Sequence, residues 1–80
     1  MKVYKFPLDG SSFAEVPIGA EFISVAIQND RLTVWAIVDP LAETELRQFQ
    51  VYGTGEELRS EKEDFIGTVF DGPFVWHVFK

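Results

Sequence analysis

The sequence has no cysteine, one histidine and one methionine. Without cysteine there is no disulfide framework, no thiolate nucleophile and no thiolate metal site, and the redox compartment leaves no mark. One histidine on its own falls short of an ordinary zinc site, and the carboxylates do not fall at calcium-loop spacing. No uninterrupted apolar run is long enough for a membrane span or a signal peptide, so the expectation is a soluble, cytoplasmic protein with no membrane partner. Positive charge is also scarce. Seven Lys and Arg stand against 13 Asp and Glu, for a net charge of −6. Non-specific binding to nucleic acid works by neutralising phosphates, so this balance argues against it.

What is present is apolar and aromatic. Hydrophobic residues make up 46% of the 80, with eight Phe, two Tyr and two Trp. That is too apolar for a disordered segment. The length allows one small domain, residues 1–80, which buries only about 60% of the surface its unfolded chain exposes.

The dominant pattern is period two, which is a strand signal. In residues 21–28 Ile23, Val25 and Ile27 share one face, and Phe22, Ser24, Ala26 and Gln28 the other. Residues 31–38 repeat the pattern, and Asn29-Asp30 between them tolerate the positive φ of a tight hairpin. Residues 45–52 read as one more polar strand, with Arg47, Phe49 and Val51 on one face. Phe65–Phe70 and Phe74–Phe79 read as a second hairpin around Asp71-Gly72, with Pro73 just beyond the turn. Lys2–Phe6 and Ser12–Val16 are weaker strands stopped by Pro7 and Pro17. Thr54 and Glu57 fit a capping box, so residues 56–64 are read as either one helical turn or a charged, solvated loop. Five to seven strands on short connections predict an all-β fold: a small antiparallel sandwich or a partly open barrel.

Several of these residues occur in an order that resembles a known family. They are Lys5-Phe6-Pro7-Leu8, Gly19-Ala20, Ile23-Ser24-Val25, Trp35-Ala36-Ile37-Val38-Asp39-Pro40, Glu45, Arg47, Phe49, Gly53-Thr54-Gly55, Ile66-Gly67-Thr68 and the closing Val75-Trp76-His77-Val78-Phe79. The chain resembles, over nearly its whole length, a family of small uncharacterised phage and prophage proteins. The resemblance implies a single-domain, phage-encoded protein acting in the host cytoplasm. It carries no activity, and Glu56–Glu63 is more acidic than that family's pattern.

Catalysis finds little support. A triad would need His77 beside an activated serine and a carboxylate, and none of Ser11, Ser12, Ser24 and Ser60 sits in a nucleophile-elbow context. No nucleophile, base and oxyanion site assemble, so the expectation is a protein that is not an enzyme and uses no cofactor. His77 reads as a structural residue or as a ligand contact. Gly53-Thr54-Gly55 reads as a strand-ending turn, or as a loop whose amides cradle an anion, although Glu56 and Glu57 follow at once. Arg47 suits a phosphate or carboxylate, or else a salt bridge. Trp35 and Trp76 read as core, or as stacking surfaces.

Two functions compete on this reading. One is a pocket of Arg47, Gly53, Thr54, Gly55 and His77, with Trp35 or Trp76 stacking on a base. Such a pocket would sequester a small anionic ligand, a nucleotide-derived immune signal being the natural candidate. The other is an acidic inhibitor of a host protein, using Glu56, Glu57, Glu61, Glu63 and Asp64. In both, residues 31–38 and 74–79 are apolar front and back, which predicts a homo-oligomer.

Overall fold

The computed structural model describes residues 1–59 and 64–80; Glu61 and Glu63 of the acidic segment lie outside them. Eight strands run through the described residues. They are β1 (Lys2–Pro7), β2 (Phe13–Pro17), β3 (Glu21–Gln28), β4 (Arg31–Val38), β5 (Thr44–Gln48), β6 (Gln50–Gly53), β7 (Phe65–Asp71) and β8 (Phe74–Phe79). They form three antiparallel sheets, ordered β1-β4-β3, β2-β5 and β6-β8-β7. The all-β expectation holds, with one or more strands beyond the expected five to seven and no closed barrel.

The β3–β4 hairpin turns on Asn29 and Asp30, at φ of 51° and 60°. Two consecutive positive φ values are the mark of a type I′ turn, whose twist suits the flanking strands. The β7–β8 turn lies one residue later than its sequence suggests. Asp71 pairs with Phe74, so Gly72 and Pro73 are the two loop residues. Gly72 takes φ of 57° while proline fixes the next φ near −65°, the pattern of a type II′ turn.

Two β-bulges break the period-two pattern. Phe22 pairs with Ala36 and Ser24 with Trp35, leaving Ile23 as the extra residue. An unpaired residue reverses the facing of everything before it. Phe22 therefore joins Val25 and Ile27 on the core side, opposite Ala36, Val34 and Leu32, and not Ser24 as strict alternation implies. Ile23 is left 47% exposed. In β7 the register slips between Phe65 and Gly67 in the same way.

Residues 45–52 are two strands, not one. Phe49 donates its N–H to the Ser12 carbonyl at 2.9 Å, which ends the β2–β5 ladder. Gln50 then pairs with Phe79, in a different sheet. The Phe49 side chain is buried at this crossing, in one core with Leu8, Val34 and Val78. Phe22 meets it edge-on, 4.9 Å between centroids, a geometry that adds about 0.5–1.5 kcal/mol to the burial itself.

β4 is the central strand of its sheet, and its two faces are covered differently. Val34, Ala36 and Val38 are fully buried against the rest of the chain. On the outer face Lys5 Nζ donates to Gln28 Oε1 at 2.8 Å. Lys5 stands opposite Trp35 and Gln28 opposite Arg31, so this bond crosses above Thr33, which is buried. Farther along, Trp35 and Ile37 are half-buried and Val3, opposite Ile37, is exposed.

Candidate functional site

β6 and β8 bring together most of the residues singled out by the sequence. Tyr52 pairs with His77 and Gly53 with Trp76. Both ring nitrogens of His77 are engaged: Nε2 with Thr54 Oγ1 at 2.8 Å and Nδ1 with Thr68 Oγ1 at 2.9 Å. A neutral imidazole has one donor and one acceptor nitrogen, and a hydroxyl can play either part. The two threonines thus satisfy the ring in either tautomer and hold it between β6, β8 and β7.

The Gly53-Thr54-Gly55 loop already holds an anion, and it is its own. Gly53 donates its N–H to Glu56 Oε1 at 2.8 Å, and Glu56 donates its own N–H back to the Gly53 carbonyl at 3.2 Å. The side chain that reaches back is thus Glu56, where the capping-box reading assigned Glu57, and no helix forms among the described residues. Gly55 takes φ of 93°, a left-handed turn position. Beyond it Arg59 folds back onto β6. Its N–H donates to Tyr52 Oη at 3.0 Å, its guanidinium grips Gln50 Oε1 through Nε and Nη2, and its Cζ lies 4.3 Å from the Tyr52 ring centroid.

Arg47 belongs to another part of the molecule. It stands on β5 opposite Ala14, its Cζ 5.5 Å from the Phe22 ring centroid, with Nη1 3.8 Å from Glu45 Oε1. Pairs this exposed contribute about 0–1 kcal/mol. Lys80 Nζ reaches the same ring, at 5.8 Å. Trp35 lies on the outer face of β4, between Lys5 and Ser24.

A cleft of about 240 Å³ lies at the end where the two hairpins turn. Ile27, Leu32 and Val51 give it apolar walls, and Trp76 a flat one. Ser12, Asp30 and Asp71 supply the polar groups. Of the residues expected to bind ligand, Trp76 alone lines it. Phe74 holds the indole, stacking on it at 5.7 Å and 16°. Sequence reading missed Asp30 and Asp71 because each is also good turn chemistry. Only the packing of the two hairpins brings their tips to one cleft. Among the described residues no group of three or more Asp, Glu or His is placed to hold a metal ion, and no helix is long and apolar enough to cross a membrane.

Fold and site together define a small all-β domain with an acidic, tryptophan-walled cleft between two hairpin tips. Over residues 1–80 the chain belongs to the family described as Domain of unknown function (DUF7352). No curated protein and no solved structure matches it.

Proposed function

We propose that this is a non-enzymatic binding protein whose partner is a basic surface of another protein. The cleft carries the reading: among the described residues its lining has two aspartates and no Lys, Arg or His. Its volume falls below the roughly 300–1,000 Å³ of ordinary small-molecule pockets, which suits one inserted side chain better than a nucleotide. Phe74 stands 56% exposed on the same face of the hairpin as Trp76 and Asp71, while Phe70, 77% exposed and paired with Val75, faces the other way. Aromatics around a buried anchor are the composition of an interface centre, and the net charge of −6 complements a basic partner. The resemblance to phage and prophage proteins supplies the setting: a phage-encoded inhibitor of a host protein in the host cytoplasm, with counter-defence as its purpose. Self-association belongs to the same proposal, supported by Val3 of β1 and Trp35 and Ile37 of β4 on the outer face of their sheet.

The test is affinity capture from bacterial lysate with the wild-type protein and with Asp30→Lys/Asp71→Lys. A basic protein retained by the wild type and released by the double variant supports the reading. Equal retention by both, or no basic protein at all, overturns it.

A second reading, capture of a small anionic or nucleotide-derived ligand, rests on Arg47 and Lys80 approaching one Phe22 ring. At Gly53-Thr54-Gly55 the Glu56 carboxylate stands where such an anion would bind. A thermal-shift panel of cyclic nucleotides tests this reading, and no shift with any member removes it.

A further inference from the structure

We infer that the cleft between the β3–β4 and β7–β8 turns is a socket for one alkylammonium or guanidinium group, the end of a lysine or arginine side chain of the partner protein. The inference rests on the protein-binding reading above and gives it a site and a ligand chemistry.

The argument starts from what a long basic side chain needs. It has an apolar stem and a cationic head, and it buries the stem only if the head finds compensation. The walls from Ile27, Leu32 and Val51 suit the stem. The head requires acceptors and negative potential, and Asp30 and Asp71 offer both from separate hairpin tips. Trp76 is the third element, because an indole is the best of the aromatic rings at attracting a cation held within about 6 Å. An anion meets two like charges here, and an uncharged apolar group gains nothing from either carboxylate.

The rigidity of the parts favours binding. The backbone of Asp30 is fixed by a type I′ turn at φ of 60°, and that of Asp71 by its pairing with Phe74. Trp76 is held by its stacking on Phe74, at 5.7 Å between centroids. A socket that is already formed loses little conformational freedom on binding, and so more of the contact energy appears as affinity.

The experiment follows the two tryptophan indole N–H signals of the full chain by NMR during titration. The probes are N-acetyl-lysine N-methylamide, N-acetyl-arginine N-methylamide and the uncharged N-acetyl-norleucine N-methylamide. Trp76 is expected to shift saturably at millimolar concentrations of at least one cationic probe, while Trp35, outside the cleft, stays still and norleucine has no effect. Asp30→Asn and Asp71→Asn each weaken the response at least tenfold. Asparagine tolerates the left-handed conformation at position 30, and an otherwise unchanged spectrum verifies the fold. No saturable shift with either cation, an equal shift with norleucine, or undiminished affinity in both variants overturns the socket. If the probes fail while a basic protein is still captured and released by Asp30→Lys/Asp71→Lys, the socket is wrong and the protein-binding reading stands. If the probes saturate and no basic protein is captured, the socket stands and that reading falls.

Discussion

Gly67 is where the absence of a side chain matters most to the fold. A Cβ built there lies 2.8 Å from Val25 Cγ1, closer than real Cβ contacts come. It stands on β7 where that strand crosses Val25 of β3, so the close approach of two sheets depends on it. Gly67→Ala should destabilise by about 1–3 kcal/mol, the usual range for overpacking. In a domain of this size that lowers the melting temperature by roughly 4–8 °C per kcal/mol. Val25→Ala in the same chain should recover part of the loss, and failure to recover any would show that Val25 is not the obstacle. Gly53 makes the contrasting case. Its added Cβ meets Glu56 Oε1 at 3.1 Å, the far end of a flexible side chain, and Trp76 Cζ3 at an ordinary 3.6 Å. Glu56 can swing away, and alanine lowers unfolded-state entropy by an equivalent of about 0.4–1 kcal/mol. Gly53→Ala should therefore stay within about 1 kcal/mol of wild type in denaturant unfolding, and a larger loss would mean that the Glu56 bond to the Gly53 amide holds the loop.

Turn chemistry made the two hairpins legible, and it also sets a conflict between stability and binding. Residues 21–38 and 65–79 announced themselves by alternation around short turns. Asn29-Asp30 adopted the conformation their side chains allow. What alternation could not show were its own interruptions. An extra residue at Ile23 leaves the composition of β3 unchanged while moving Phe22 to the other face. A strand that leaves one sheet at Phe49 and enters another keeps its period, so β5 and β6 read as one. The site was half legible for a related reason. Trp76, Gly53, Thr54 and His77 are neighbours because β6 pairs with β8, whereas Arg47 is carried off to β5 by the same sheet change. Asp30 illustrates the conflict. A non-glycine residue in the left-handed region costs roughly 1–2 kcal/mol, less for Asp and Asn, and Asn-Gly is the favoured sequence for this turn. Asp30→Gly should hold or raise the melting temperature while losing the cationic probes, and Asp30→Val should lower it. A variant that gained stability and kept full probe affinity would show that the carboxylate contributes nothing to the cleft.

At the scale of the whole molecule, charge separates the two associations proposed for it. Each copy carries −6, so copies repel one another and self-association has to be driven by the half-covered face around Val3, Trp35 and Ile37. Binding a basic partner is favoured by the same charge. Salt shortens the screening length from about 10 Å at 0.1 M to about 3 Å at 1 M, and it must therefore act on the two with opposite sign. Light scattering at micromolar concentration should return a multiple of the 9.1 kDa chain mass, with the larger species persisting or growing as salt is added. Capture of the basic partner should weaken over the same range, chiefly through a slower association rate, since steering is the part of binding most exposed to screening. A monomer at every ionic strength would remove self-association and leave the cleft untouched. Capture insensitive to salt would mean that the partner is held by Phe74 and Trp76 as apolar surface, with the two aspartates as bystanders.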